Sequence, residues 1–122
     1  MAAVNIAFEA PDSVRGGPLP KTRAVDLVHL AVQTMGDKDL EIEVLNLFTR
    51  QARAALHEIA ERDNAGVSAS AHRLKSSANG VGAFMVAEAA EKLEARPGDA
   101  ALRAAVAVAV LEAENFILKL MR

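Results

Sequence analysis

Residues 71–83 read Ala71-His72-Arg73-Leu74-Lys75-Ser76-Ser77-Ala78-Asn79-Gly80-Val81-Gly82-Ala83. On an α-helix, side chains three, four and seven apart share a face. Counted from His72, one face carries Ala65, Ser68, Ala69, Lys75, Ser76 and Asn79. The other carries Val67, Ala71, Leu74, Ala78 and Val81. The spacing predicts a two-sided helix, with an apolar row to bury and a row of small and polar residues around one histidine to leave in water. It places His72 outward and makes Leu74 an anchor in the core. The rest of the chain must then supply apolar helical faces to cover that row.

Such faces are present on both sides. Asp26 is placed to N-cap a first helix, with Val25 and Leu30 at the spacing of a hydrophobic staple. Leu27, Leu30, Ala31 and Thr34 keep helical spacing up to a stop at Gly36. Asp37 caps a second helix, predicted to reach about Arg62. Its stripe is Leu40, Val44, Leu47, Phe48, Ala52, Ala55, Leu56 and Ile59. A stripe that broad contacts more than one neighbour, which points to a bundle. Asp63-Asn64-Ala65-Gly66 reads as a turn, with Asn64 capping the third helix, which runs to Gly80 or Val81. Gly80 and Gly82 loosen the backbone before a fourth helix at about 83–95, whose inner side is Val86, Ala89, Ala90 and Leu93.

Arg96-Pro97-Gly98-Asp99 breaks the chain again, and Asp99 caps a fifth helix at about 100–121. There Leu102, Ala105, Val106, Ala109, Val110, Ala113, Phe116, Ile117 and Leu120 recur at helical spacing. Val106, Val108 and Val110 also alternate as a strand would; the interleaved alanines, and the stripe continuing past Glu112, decide for helix. Short connections between long helices favour antiparallel neighbours. The predicted fold class is therefore all-α: an antiparallel up-down four-helix bundle with an additional short N-terminal helix, over residues 23–122. Residues 1–22 hold Pro11, Gly16, Gly17, Pro18 and Pro20 and read as a flexible tail. Within that tail Val4, Ile6 and Phe8 alternate and could lie against the body.

Composition removes several classes of function. The net charge of −2 leaves no nucleic-acid footprint, and 3% aromatic residues leave no platform for stacking bases. There is no Cys, so thiol chemistry and Cys-based zinc sites are excluded. The N-terminus has no basic region before a long apolar run, so no signal peptide is expected. The longest apolar run, 104–111, is far shorter than the ~20 residues of a membrane span. The expected setting is cytoplasmic, with no membrane or nucleic-acid partner.

His72 is the residue with chemistry to offer. Imidazoles titrate near neutrality, so a neutral nucleophilic form is available. Ala69 and Ser76, one turn either side, are small enough to let a partner surface approach. Lys75 brings a positive charge that could hold a phosphoryl group, and Asn79 brings hydrogen-bonding capacity. No second ligand lies three or four residues from His72, so no metal site is expected on this helix. His29 has no ligand partner at metal spacing either, and is expected at the surface or its boundary. His57 lies beside the stripe and is expected to be solvated or at the boundary. Ser77 is placed toward the core, with no acid set to orient the imidazole and no nucleophile elbow, which argues against a hydrolase. Gly80-Val81-Gly82 is too short for a P-loop. The chain offers a nucleophile and no machinery to bind ATP.

These residues resemble the histidine-containing phosphotransfer (HPt) domains of multistep two-component phosphorelays. The family pattern is approximately His-x-Leu-Lys-Gly-Ser-Ser/Ala-x-x-x-Gly-Ala, followed by a helix ending in Leu-Glu. His72, Leu74, Lys75, Ser77, Ala78, Gly82 and Ala83 match it without a gap, Val86 occupies an apolar position, and Leu93-Glu94 matches the helix end. Leu45-x-Leu47-Phe48 and the Asp63 turn are similar upstream. Ser76 departs from the family's usual Gly, and Asn79 from a smaller residue. The resemblance covers roughly residues 24–122.

It implies that His72 accepts a phosphoryl group from a receiver-domain aspartate and passes it to another receiver. Lys75 would balance charge on the phosphohistidine, and Ser76, Asn79, Ala69 and Ser68 would line the approach. The partners implied are receiver domains of response regulators and of hybrid sensor kinases, which bring the Mg2+; no cofactor is expected on this chain. It is expected to be a monomer, and a phosphoryl carrier rather than an enzyme. Two other readings stay open from the sequence: a helical interaction module in which His72 is incidental, and the dimerisation and phosphoacceptor domain of a histidine kinase. The second of these predicts an intermolecular bundle and usually a following ATP-binding domain, whereas this chain ends at Arg122 with enough helices to close its own.

Overall fold

Aspartates start four of the five helices in the computed structural model, which describes residues 23–122. The expectations for residues 1–22 lie outside the described residues. The helices are α1 (Leu27–Gln33), α2 (Lys38–Glu61), α3 (Asn64–Val81), α4 (Phe84–Ala95) and α5 (Ala100–Leu120). Asp26, Asp37, Asp63 and Asp99 each accept hydrogen bonds from first-turn amides that have no carbonyl partner inside the helix. One expectation is corrected here: the cap of α3 is Asp63, whose carboxylate accepts from the Gly66 amide, and Asn64 is already helical. Asp63 has the extended backbone a cap requires, and its carboxylate lies three residues before a free amide.

The bundle closes in a ring. α3 packs against α2 and α4, and α5 packs against α4 and α2. Cross-helix contacts give the direction of each pair. Glu58 of α2 meets Ser70 and Arg73 of α3, close to the turn that joins those helices. Glu94 near the end of α4 meets Ser68 and His72 of α3. Arg103 near the start of α5 reaches the Ile59 carbonyl late in α2, whereas Glu114 further along α5 meets Arg53 earlier in α2. Neighbours therefore run antiparallel, as the short connections predict. α1 lies at the end where α3 turns into α4: the Asp26 amide donates to the Gly82 carbonyl at 2.9 Å, and His29 sits edge-on to Phe84.

The core follows the predicted rows with local revisions. Val67, Ala71, Leu74, Ala78 and Val81 of α3 are all buried, as are Val25 and Leu30 of the α1 staple. In α2 the inner row is Leu45, Phe48, Ala52, Ala55 and Ile59. Leu47, placed in the stripe from sequence, is 47% exposed, while Leu45 is 1% exposed. One residue turns a helix by about 100°, so Leu47 lies a quarter-turn from Phe48 and cannot share its row. Leu40 is exposed for the same reason. Ala87 joins Val86, Ala90 and Leu93 inside α4, and Ser70 joins the buried side of α3. Ala105 and Leu120 of the predicted α5 stripe are exposed.

Gly82 fixes the α3–α4 turn. Its φ of 85° is left-handed, and its amide donates back to the last turn of α3. A Cβ there would lie 2.9 Å from the Asp26 carbonyl oxygen. Gly80 differs: a Cβ there meets nothing within 4 Å.

Two stability outcomes follow. Leu74→Ala should lower unfolding free energy by ~2–5 kcal/mol, because Leu74 is fully enclosed, whereas Leu47→Ala should cost well under half as much. Gly80→Ala should be neutral to stabilising by up to ~1 kcal/mol, and Gly82→Ala clearly destabilising. Urea denaturation of the four variants measures all of this. Equal losses for Leu74 and Leu47 would refute the assignment of helix faces.

Candidate functional site

His72 stands on a ridge of α3 between two grooves. Its side chain is 58% exposed, which agrees with the outward face read from the sequence. On the α4 flank, His72 Nδ1 lies 2.9 Å from Glu94 Oε2. The other oxygen of that carboxylate, Oε1, lies 3.4 Å from Lys75 Nζ. One carboxylate thus bridges the histidine and the lysine. The expectation that no acid orients the imidazole is corrected by this contact: Glu94 comes from the neighbouring helix, 22 residues away in sequence.

Partial burial pushes the Glu94 carboxyl up, but hydrogen bonds to Lys75 and His72, together with their charges, outweigh it and hold it below the ordinary carboxylate value. Near neutral pH Glu94 is therefore ionised, and an ionised carboxylate only accepts. Nδ1 must then be the donor. With the proton held on Nδ1, a neutral His72 keeps its lone pair on Nε2, the nitrogen that has no hydrogen-bond partner among the described residues.

The remaining predicted residues fall around this centre. Ala69, Ser76 and Asn79 are exposed on the His72 side of α3. Lys75 is half-buried and, with Asn79, lines the groove toward Phe84, Glu88 and Glu91 of α4. The Ser68 hydroxyl donates to the Glu94 carbonyl at 2.9 Å and ties α3 to the end of α4. Ser77 is half-buried in the groove between α2 and α3. That groove also holds a second polar cluster that the sequence did not reveal. Ser70 and Arg73 both donate to Glu58 Oε1, Arg73 at 2.7 Å. The Ser70 hydrogen bond contributes most to lowering the Glu58 carboxyl; burial opposes it, and Arg73 and the Arg62 charge add to the lowering.

The other two histidines are placed as expected. His57 is exposed beside Glu61 at 3.3 Å. His29 is half-buried, with its ring centroid 5.1 Å from that of Phe84 and Nε2 buried without a hydrogen bond. Among the described residues no group of three metal-ligating side chains comes together, and no helix is long and apolar enough to cross a membrane.

Compared with known families, residues 43–116 match the Hpt domain. The chain belongs to the Hpt domain family. Searches of curated proteins and of solved structures give no match. The Hpt match spans α2 beyond its first turn, all of α3 and α4, and most of α5, so His72 and Glu94 both fall inside it. Hpt domains carry phosphoryl groups in two-component signalling and are not kinases. Their partners in phosphorelays are receiver domains.

The two lowered carboxyls give a pH dependence of definite sign. Each ionises more readily in the folded than in the unfolded chain. The stabilisation is therefore complete above the ordinary carboxylate range near ~4.3, and is lost as pH falls through the lowered folded values. Urea midpoints should be flat from pH 7 to about 5 and fall below about 4. The double variant Glu58→Gln/Glu94→Gln should have a shallower acid limb. A slope identical to wild type would assign the acid limb to other carboxylates.

Proposed function

We propose that His72 is the phosphoacceptor of this Hpt domain and that the chain relays a phosphoryl group from one receiver domain to another. The observation that carries the proposal is the hydrogen bond from His72 Nδ1 to Glu94, which leaves Nε2 free on an exposed ridge. In the forward step, Nε2 attacks the phosphorus of an aspartyl phosphate on the incoming receiver. The bond between phosphorus and the aspartyl oxygen breaks, that carboxylate leaves with the electron pair, and an Nε2–P bond forms. The imidazole becomes cationic while its Nδ1 proton stays hydrogen-bonded to Glu94, whose negative charge faces the developing positive one. The return step, onto the aspartate of a second receiver, runs through the same atoms in reverse.

Division of labour follows from what each side holds. The receiver brings the acidic pocket and Mg2+, which supply most of the electrostatics of in-line transfer. This chain brings the nucleophile, its orientation and a docking surface on α3 and the outer side of α2. Lys75 is held by Glu94 before transfer and can turn toward the phosphoryl oxygens after it. Ser76 and Ala69 keep the approach open, and Asn79 borders it. A relay must release its partner, so docking is of modest affinity, with a small apolar centre and a polar rim.

The test is transfer from a receiver domain phosphorylated with labelled phosphate, in the presence of Mg2+. Wild type should acquire label that is stable to base and labile to acid, and His72→Gln should acquire none. Glu94 is a positioning residue. Glu94→Gln should slow transfer by roughly 10–100-fold, the scale of a lost charge-assisted hydrogen bond, and should also change the pH profile of the rate. Label persisting in His72→Gln would move the acceptor elsewhere. A panel of receivers none of which labels wild type would defeat the relay reading.

A further inference from the structure

The α2 flank of the ridge carries a cation that the transfer step leaves unused. Arg73 is 60% exposed and follows His72 directly in the chain. One residue turns a helix by about 100°, so Ser76 and Ala69, at about 40° and 60° from His72, fall between His72 and Arg73 around the helix. A surface that settles on those two small side chains to reach Nε2 therefore has His72 on one side and Arg73 on the other. His72 leans toward Glu94 of α4, and Arg73 leans toward Glu58 of α2.

Arg73 is set in place from the interior. Its Nη2 donates to Glu58 Oε1 at 2.7 Å and to Ser70 Oγ at 3.3 Å. Ser70 is 1% exposed, and its hydroxyl donates to the same Glu58 oxygen. The buried serine pins the carboxylate, and the carboxylate pins the guanidinium. These bonds all use Nη2. Among the described residues Nε and Nη1 make no hydrogen bond, so the guanidinium keeps donors for a partner. The cluster also keeps positive charge, because Arg62 Nη2 lies 3.9 Å from the other Glu58 oxygen and two guanidiniums share one carboxylate. The α4 flank has the opposite balance, with Glu88, Glu91 and Glu94 around Lys75.

Resting on the relay reading above, we propose that Arg73 is a specificity-determining residue, whose guanidinium takes a carboxylate at the rim of the receiver's phosphorylation pocket. Charge selects that partner. A receiver brings an acidic pocket to His72, and the α2 flank is the side of the ridge that keeps a cation with free donors. The groove beside Arg73 has a volume of about 210 Å3 and is lined by Gln51, Ala54 and Ser77, which leaves room for one short acidic side chain. An Asp or Glu entering there pairs with Arg73. The same residue over the α4 flank would face Glu88 and Glu91. The pairing thus orients the receiver as well as selecting it. Because Glu58 and Ser70 already hold the guanidinium, the contact forms with little further loss of side-chain freedom.

The test measures transfer of labelled phosphate to the full chain as receiver concentration is varied. One receiver has an Asp or Glu at the rim of its pocket, and the other is the same receiver with Asn or Gln there. Arg73→Gln should raise KM for the acidic receiver roughly tenfold, the scale of a lost charge-assisted hydrogen bond, and leave kcat within about twofold. It should also flatten the salt dependence of kcat/KM. For the neutralised receiver, wild type and Arg73→Gln should share one KM, which closes a double-mutant cycle. Arg73→Lys should recover part of the loss, because it keeps the charge without the planar fork. A fall in kcat at unchanged KM overturns the proposal, as does an equal rise in KM for both receivers. A lowered urea midpoint with unchanged KM would make Arg73 a structural tie between α2 and α3 and nothing more. A wild type that takes no label from any receiver defeats the relay reading itself, and this proposal with it.

Discussion

The register of α3 against α4 is the constraint on which the site depends, and one glycine sets it. Gly82 is left-handed, ends α3, and has the Asp26 backbone against the position where a Cβ would be. The two helices leave this turn antiparallel, so residues at similar distances from it meet. His72 lies ten residues before Gly82, and Glu94 twelve residues after it. A slip of one residue would rotate Glu94 by about 100° and carry its carboxylate away from the imidazole. The Ser68 hydroxyl on the Glu94 carbonyl holds the same register from the far end. The pairing of His72 with Glu94 thus depends on a backbone conformation remote from both.

Each groove beside His72 is organised by one carboxylate. Glu94 holds Lys75 and His72 on the α4 side, and Glu58 holds Ser70 and Arg73 on the α2 side. Both carboxyls are stabilised in the ionised form despite partial burial. The consequence is a ridge whose cations are restrained while its nucleophile is exposed. Under the proposed relay role, such a surface receives an anionic phosphoryl group without trapping it. A fully paired, buried site would hold the phosphoryl group too well, and unrestrained lysine and arginine side chains would lose entropy on every docking event.

Helix faces were legible in the sequence because they depend only on the period of one helix. His72 outward and Leu74 inward required no knowledge of any neighbour. The assignment of Asp63 or Asn64 as cap, and of Leu45 or Leu47 as core, turned on a single residue of phase, which a list of apolar positions does not resolve. Glu94 was out of reach for a stronger reason. Its partnership with His72 belongs to a pair of helices and needs their register as well as their faces. The Leu93-Glu94 ending was visible as a pattern, but the pattern carries no distance. The role proposed for His72, that of phosphoryl carrier, rested on the family resemblance; periodicity supplied only its exposure.

The valines at 106, 108 and 110 show how an ambiguity in sequence can hold information. They alternate, and alternation ordinarily marks a strand. In a helix, residues two apart are about 200° apart and point to nearly opposite sides. Val106 and Val110 are buried and Val108 is exposed, as that geometry requires. The exposed side of α5 mixes Val108, Leu111 and Leu118 with Glu112, Asn115 and Lys119, a surface on which polar and apolar residues share the solvent. The alternation at 106, 108 and 110 is therefore the trace of a helix that carries valine on two opposite sides, one packed in the core and one in water.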